Sequence, residues 1–323
     1  MRFARTPLVA LAASTLLLAA VPLFVKSPYA LHLFILAFSS ILLGEAWNVI
    51  GGFGGQYSVG HAAYFGIGAY ASMILLRTHG IPPWFGVWVG MALAAAVALV
   101  IGSITFRLRG PYFVLASIAV AEILRQSALN WKALTNGAEG ILVGDTPVFN
   151  LGPIHLEFNG KVPYFYMGLF LALASVLANA FVRRSKLGYY LQAIREDQDA
   201  AWSLGIPITV TKNAGLVISA AFTALAGGFY ANYTGFVDPP GVLGLDISVQ
   251  IVLVCIIGGI GTVGGPVLGA VLLVFLGEIL RNSLANAHVL VYGVLLVLVV
   301  LYMPEGVLGF LKARLFRSKA VRS

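Results

Sequence analysis

One glycine pattern in the sequence matches a motif that binds nucleotides. Gly259, Gly261 and Gly264 have the GxGxxG spacing that lets the backbone approach a pyrophosphate in dinucleotide-binding folds. That motif needs a preceding strand, a following helix and an acidic residue about 20 positions further on. Here its flanks, VLVCII and PVLGAVLL, are apolar runs typical of a membrane. We therefore interpret the glycines as a structural break between membrane helices, made of Gly258, Gly259, Gly261, Gly265 and Pro266.

Other patterns that support catalysis or metal binding do not occur in the sequence. The five histidines are scattered along the chain, whereas a membrane-embedded enzyme would need clustered ligands or bases. The GxxxxGK[ST] loop that cradles nucleotide phosphates is missing, so ATP hydrolysis would have to take place on a partner. The single cysteine, Cys255, excludes an internal disulfide. We therefore expect no catalytic residue, no metal and no cofactor in this chain.

Three ionisable residues lie within apolar runs or at their ends, namely Glu45, Glu122 and Arg125. Charged groups at membrane depth are costly, so such residues are functional candidates by default. Glu122 and Arg125 are three positions apart, close enough to pair on a helix, and we expect a structural pair that faces the bundle interior. A role in translocation is the alternative for this pair. For Glu45, hydrogen bonds that anchor a helix end are an equal alternative. An ion-coupled secondary transporter or channel would instead use all three as relays.

The composition indicates a polytopic, all-α membrane protein. Of the 323 residues, 59% are hydrophobic and 10% are charged, whereas soluble domains carry about 25% charged residues. The net charge of +8 does not indicate nucleic-acid binding, because the basic residues flank the apolar runs and concentrate after the last one. The partner that this composition implies is the lipid bilayer.

Apolar runs mark the predicted transmembrane helices, each of which needs about 20 residues to cross. They lie near residues 8–25, 30–50, 57–76, 84–105, 111–129, 163–182, 213–234 and 286–304. The first run also resembles a signal peptide, but it lacks a convincing cleavage site, so we predict an uncleaved span. A longer stretch, 247–280, can cross twice if the chain reverses at the glycine break.

Charge distribution decides the predicted topology. The positive-inside rule places the N-terminus, residues 183–212 and the basic tail, 310–323, in the cytoplasm. Residues 131–162 are weakly acidic and fall outside. This arrangement requires the double crossing of 247–280. We therefore predict one transmembrane domain over residues 1–323, with about ten transmembrane helices and both termini in the cytoplasm.

The long polar loop 183–212 contains a predicted amphipathic helix over residues 189–204. At about 100° per residue, Leu191, Ile194, Ala201 and Trp202 share one face of that helix. Gly205 and Pro207 end it. Such a helix, without ligands or a nucleophile, suits docking to another protein, and a plain solvated loop is the alternative.

The residue order in this loop resembles a known family. The string Asp199-Ala200-Ala201-x3-Gly205-Ile206-Pro207 is similar to the coupling loop of ABC importer permeases. The longer string Gly188-x4-Ala193-Ile194-Arg195-Glu196-Asp197-x2-Ala200-Ala201-x2-Leu204-Gly205-Ile206 resembles one family within that class, the M-type permease subunit of high-affinity branched-chain amino acid importers. A second string, Asn48-x2-Gly51-Gly52-x-Gly54-Gly55-Gln56-x-Ser58-x-Gly60-His61, resembles the same family. The likeness extends from Glu45 to about Ala270, and Tyr189-Tyr190 departs from it where a basic residue is expected.

The resemblance implies the ABC importer permease fold, with a cytoplasmic coupling helix that docks onto an ATPase. The residues that it assigns to coupling are Gly188, Ala193, Ile194, Arg195, Glu196, Asp197, Ala200, Ala201 and Gly205. Those that it assigns to the translocation pathway are Asn48, Gly54, Gln56, Ser58 and His61. For His61, a packed and hydrogen-bonded histidine is the alternative.

The resemblance also implies the partners and the location of the chain. It predicts a second homologous permease subunit, two ATPase subunits that carry ATP and Mg, and a periplasmic substrate-binding protein, all at a bacterial inner membrane. The expected function is passage of branched-chain or related amino acids. Urea and short-chain amides are alternative solutes, because similar permeases carry them.

Overall fold

The computed structural model describes residues 5–108, 110–143, 148–151, 154–157, 160–283, 293–294, 297, 301–303 and 305–310. Most of the predicted span 286–304, and residues 311–323 of the predicted tail, lie outside these described residues. The described part of the chain is mostly helical.

Thirteen α-helices run through residues 5–283. In chain order they are α1 (Arg5–Phe24), α2 (Pro28–Trp47), α3 (His61–His79), α4 (Pro83–Thr105), α5 (Pro111–Asn130), α6 (Lys132–Thr135), α7 (Lys161–Arg184), α8 (Lys186–Glu196), α9 (Gln198–Ser203), α10 (Ile208–Thr234), α11 (Pro239–Leu243), α12 (Leu245–Gly258) and α13 (Gly265–Ser283). Helix α2 continues into a π-helical turn, Asn48–Phe53, and a 3₁₀ turn spans Gly137–Glu139.

Seven helices among the described residues are long and apolar enough to cross a membrane. They are Pro28–Phe53, Pro83–Thr105, Pro111–Asn130, Lys161–Arg184, Ile208–Thr234, Pro239–Gly258 and Gly265–Asn282. The chain is therefore a multi-pass membrane protein, and the count of about ten spans stays a prediction. The stretch 247–280 contains two separate helices, because α12 ends at Gly258 and α13 begins at Gly265.

Two short antiparallel strand pairs depart from the all-α prediction. Strand β1 (Ile141–Leu142) pairs with β4 (Phe236–Val237), and β2 (Val148–Leu151) pairs with β3 (Ile154–Glu157). Backbone N–H and C=O groups in the loops that follow α5 and α10 need partners, and strand pairing supplies them. A pattern based on apolar runs does not detect strands of two to four residues.

Helix α10 lies at the centre of the bundle and packs closely against α3. A Cβ atom added to Gly68 of α3 would overlap the carbonyl oxygen of Ala224 in α10. A Cβ atom added to Gly227 of α10 would overlap the carbonyl oxygen of Phe65 in α3. Small residues of this kind let membrane helices pack backbone to backbone. The crossing of these two helices therefore depends on glycine at both positions.

We expect the substitution Gly68→Val to destabilise the bundle, because the valine side chain would push α3 and α10 apart. Overpacking of this kind typically costs about 1–3 kcal/mol. Thermal unfolding in detergent should show a lower midpoint than for the wild type. Gly264→Ala is the matched control, because its nearest neighbour would be a leucine carbon at 3.7 Å, an ordinary contact. Equal midpoints for Gly68→Val and the wild type would contradict the close crossing.

Candidate functional site

The 183–212 segment contains two helices, α8 and α9, so the prediction of one helix over residues 189–204 is wrong. The chain leaves helical geometry at Asp197, where φ is −154° and ψ is 115°. The Asp197 Oδ1 atom accepts hydrogen bonds from the backbone N–H groups of Asp199 and Ala200, both at 2.9 Å. Aspartate favours this N-cap conformation because its side chain competes for backbone donors. Asp197 thus ends α8 and starts α9.

The break at Asp197 changes which side chains share a face. Leu191, Ile194 and Ala201 are buried, as the helical pattern predicts. Trp202, which the same pattern places beside them, is 72% exposed. Ile194 and Ala201 pack together with Ile206. The two short helices therefore bind the bundle through small and aliphatic residues and present the tryptophan outward.

The other residues predicted for coupling lie along these two helices and the turn after them. Gly188 is buried at the start of α8, and Ala193 is half-buried. Gly205 has a φ of +80°, a conformation that favours glycine, and follows α9 as the predicted stop. The remaining ones are exposed, namely Arg195, Glu196, Asp197 and Ala200.

Asn48 joins two irregular segments that are far apart in sequence. It is fully buried and begins the π-helical turn that extends α2. Its Nδ2 donates a hydrogen bond to the carbonyl of Thr262 at 2.9 Å. Its Oδ1 accepts a hydrogen bond from the N–H of Gly261, also at 2.9 Å. The amide therefore satisfies backbone groups in the break between α12 and α13 that no helix can pair.

Arg195 of α8 contacts the same π-helical turn that Asn48 begins. Its Nη1 donates a hydrogen bond of 2.7 Å to the carbonyl of Gly52, within the π-helical turn. A cation there also benefits from the negative end of the α2 dipole. Gly261 has a φ of +76°, and a Cβ atom on it would overlap Arg195 Nη1, so this position requires glycine. We call the set of Asn48, Gly52, Arg195, Gly261 and Thr262 the three-way junction.

The three-way junction brings together residues that sequence analysis assigned to different roles. Arg195 is predicted for coupling, Asn48 for the pathway and Gly261 for the structural break. Their contacts attach α8 to the ends of α2, α12 and α13. A displacement of α8 would therefore act directly on these three membrane helices.

A second cationic contact, which sequence analysis missed, holds α9. Lys212 of α10 is buried, and its Nζ donates a hydrogen bond of 2.7 Å to Gln198 Oε1 at the start of α9. The same Nζ lies 5.8 Å from the ring centroid of Phe106. In the sequence, Lys212 looks like an ordinary basic residue at the end of a polar loop. Only its burial distinguishes it.

The predicted pathway residues lie packed inside the chain. The ring nitrogens of His61 lie 3.1 Å from Ser58 Oγ and 2.8 Å from Ser219 Oγ of α10. The indole of Trp47 donates to the carbonyl of Ser58 at 2.7 Å. Gly54 is buried, and the half-buried Gln56 donates to its carbonyl at 3.1 Å. His61 thus has the contacts expected of a packed histidine, and a pathway role for these residues stays a prediction.

Glu45 is buried near the end of α2 and is hydrogen-bonded to α7. The side-chain amide of Asn179 donates to the Glu45 carboxylate and, at 2.7 Å, to the Glu45 carbonyl. This double contact ties the ends of two membrane helices together. It favours the anchoring interpretation of Glu45 over the relay interpretation.

Glu122 and Arg125 form the predicted pair, but they do not face the bundle. Arg125 Nη2 lies 2.6 Å from Glu122 Oε1, and Arg125 Nε lies 2.8 Å from Glu122 Oε2. The buried residues of α5 are Phe113, Ser117, Ala121 and Ala128, which lie on another face of the helix. The prediction that the pair faces the interior is therefore wrong, since small and apolar residues occupy that face.

Among the described residues, no group of three or more metal-ligating side chains occurs.

Comparison with known proteins identifies relatives over most of the chain. A family model described as "Branched-chain amino acid transport system / permease component" matches residues 29–300. The "High-affinity branched-chain amino acid transport system permease protein LivM" of Salmonella typhimurium and its counterpart from Escherichia coli are each 29% identical, over 85% of this chain and 69% of theirs. The corresponding LivH protein of Escherichia coli is 26% identical, over 83% of this chain and 90% of its own. No solved structure matches the chain.

We expect Asn48→Ala to open the three-way junction, because the change leaves the Gly261 N–H and the Thr262 carbonyl without their partner. An unpaired buried backbone group costs about 1–3 kcal/mol. Hydrogen exchange at residues 259–264 should therefore become faster. Gln56→Ala is the control, because the Gln56 side chain donates a local hydrogen bond to the carbonyl of Gly54. Unchanged exchange in Asn48→Ala would show that the amide does not hold the break.

Proposed function

The chain belongs to the family of branched-chain amino acid transport permease components, and we propose that it is one transmembrane subunit of an ATP-driven importer. It is a transporter component rather than an enzyme. In this proposal it forms part of the pathway for branched-chain or related amino acids, which a periplasmic binding protein delivers to the inner membrane. Similarity to both LivM and LivH supports a second, homologous permease subunit beside it.

The three-way junction is the observation that carries the proposed mechanism. ATP binding and hydrolysis, with Mg, take place on two partner ATPase subunits in this proposal. Closure of the ATPases would move α8 and α9 against the bundle. Arg195 transmits that movement to the π-helical turn at Gly52, and Asn48 passes it on to Gly261 and Thr262. The ends of α2, α12 and α13 would then shift together and open the pathway alternately to each side.

The outward surface of the two short helices supports docking of an ATPase subunit. Trp202 and Leu204 are exposed at the end of α9, and Tyr189 is exposed on α8. Exposed aromatic and aliphatic side chains outside membrane spans are typical of interface anchors. Glu196 and Asp199 provide a polar rim around them. The cleft that receives this surface is accordingly expected to be apolar at its centre.

We expect Trp202→Ala to weaken ATPase binding by about tenfold or more, because truncation of a central aromatic anchor typically costs about 2 kcal/mol. The measurement is purification of the tagged chain from its native membrane in mild detergent, with stoichiometry of the co-purified subunits. The wild type should recover two ATPases and a second permease, and Trp202→Ala should lose the ATPases.

Trp131→Ala is the matched control for this purification. Trp131 is 58% exposed, and it follows α5 on the predicted opposite side of the membrane. Its substitution should leave the ATPases bound. Recovery of the wild-type chain without ATPases would overturn the proposed function, and equal recovery with Trp202→Ala would overturn the docking surface.

We expect Arg195→Ala to uncouple transport from ATP hydrolysis, because the variant keeps Trp202 but loses the bond to Gly52. Reconstituted complexes should hydrolyse ATP within about twofold of the wild-type rate, while uptake falls by about tenfold, the effect of losing about 1.4 kcal/mol of coupling. Arg183→Ala is the control, because it removes an exposed arginine at the end of α7, outside the junction. Parallel loss of hydrolysis and uptake in Arg195→Ala would contradict a role in transmission.

A further inference from the structure

Helix α5 carries charged residues at the middle of a predicted membrane span. The helix runs from Pro111 to Asn130, and Glu122 is its twelfth residue. A rise of about 1.5 Å per residue places Glu122 roughly 16 Å from the first residue. That depth is close to the midplane of a hydrocarbon core about 30 Å thick.

The charges belong to a row of polar side chains. Glu122 and Arg125 form a two-bond ion pair, and Gln126 Nε2 donates to Glu122 Oε1 at 2.8 Å. Asn130 Nδ2 continues the row with a 2.8 Å bond to the Gln126 carbonyl. We call Glu122, Arg125, Gln126 and Asn130 the α5 polar stripe. The Glu122 side chain is 47% exposed, Gln126 and Asn130 are also exposed, and Arg125 is half-buried at 25%, so most of the stripe points away from this chain.

The α5 polar stripe is unsuited to contact with lipid. Charged groups at the bilayer centre are strongly disfavoured against acyl chains, and they face protein or a water-filled cavity instead. Helix α4 provides the contrast, because its outward residues Leu93, Leu99 and Val100 are aliphatic. The outward face of α5 therefore borders an aqueous space or another subunit.

Exposed apolar residues also occur on α5 near the charges. Leu115 is 63% exposed and Ile123 is 64% exposed, one on either side of Glu122 in sequence. A surface that combines a carboxylate, a guanidinium and aliphatic side chains matches the chemistry of an aliphatic α-amino acid. Such a solute carries an α-carboxylate, an α-ammonium and a branched apolar side chain.

We propose that the α5 polar stripe is a transient binding site for the zwitterionic head group of the transported amino acid, an inference that rests on the proposed function. Arg125 donates hydrogen bonds to the α-carboxylate, and Glu122 accepts hydrogen bonds from the α-ammonium. The aliphatic side chain lies beside Ile123, the exposed apolar neighbour of Glu122 on α5.

An exchange of ionic partners explains why the site holds an ion pair. In the empty pathway Glu122 and Arg125 neutralise each other, so neither charge is left unpaired at low dielectric. When the zwitterion arrives, one ion pair becomes two, and the net charge of the site does not change. When it leaves, the intrahelical pair forms again. A neutral solute such as urea carries no charge that could replace either partner of the ion pair, so it does not drive this exchange.

Transport in vesicles tests the role of the pair. The complete complex is reconstituted with ATP and saturating binding protein, and leucine uptake and ATP hydrolysis are measured in the same sample. We expect E122Q, R125Q and the double variant E122L/R125L each to lower uptake at least tenfold, with assembly and hydrolysis retained. R281Q is the matched control, because it breaks a similar i,i+3 pair with Glu278 near the end of α13. Wild-type uptake by E122L/R125L would overturn the site.

Cysteine labelling gives a readout that a structural role would not produce. The native Cys255 is fully buried, so a sulfonated, membrane-impermeant thiol reagent should leave it unmodified. We expect Q126C to react and transported leucine to slow the reaction. L99C on α4 is the lipid-facing control and should not react. Equal inertness of Q126C and L99C, or a Q126C reaction that leucine does not slow, would overturn the proposal.

The uptake measurement distinguishes a failure of the proposed function from a failure of the zwitterion site. Wild-type vesicles that take up no leucine would overturn the proposed function and the zwitterion site with it. Wild-type uptake that R125Q and E122L/R125L leave unchanged would overturn the site alone.

Discussion

The structure depends on one constraint, which is that backbone leaving helical geometry beside a membrane must find other hydrogen-bond partners. Two of the segments in which the described chain leaves regular α-helical geometry are Asn48–Phe53 after α2 and residues 259–264 between α12 and α13. The Asn48 amide bonds both to the Gly261 N–H and to the Thr262 carbonyl, so one irregular segment satisfies the other. Because the two segments need each other, the ends of three membrane helices form a single unit.

The two short helices after α7 combine a fixed inner face with an open outer face. Arg195 attaches α8 to the π-helical turn, and Lys212 attaches α9 to α10. Directional bonds to charged donors hold their geometry better than aliphatic contacts alone. Trp202 and Leu204 on the outer face are exposed. This division suits a segment that receives a force from a partner and passes it to the membrane helices, as membership of a permease family leads one to expect.

Polar groups at membrane depth fall into two kinds in the described part of the chain. His61 lies between two serine hydroxyls, and the Glu45 carboxylate is held by Asn179. Both contacts connect helices within this subunit, which favours a packing role for these two side chains. The pair of Glu122 and Arg125 satisfies its charges within one helix, with Glu122 exposed and Arg125 half-buried. A pair that needs no support from neighbouring helices is free to meet a solute, whereas a residue that holds helices together is not.

The sequence by itself determined the positions of most helices, the break at Gly258 to Gly265 and the helix stop at Gly205, because apolar run length and glycine chemistry are local properties. It also located Asn48, Arg195 and Gly261, through a resemblance that covers most of the chain. Only the tertiary structure decided that these three meet, since Asn48 and Gly261 are 213 positions apart and helix packing alone brings them together. Periodicity defines the faces of a helix without saying which face has a neighbour. For that reason the outward positions of Trp202 and of the Glu122–Arg125 pair, and the burial of Lys212, became visible only in the folded chain.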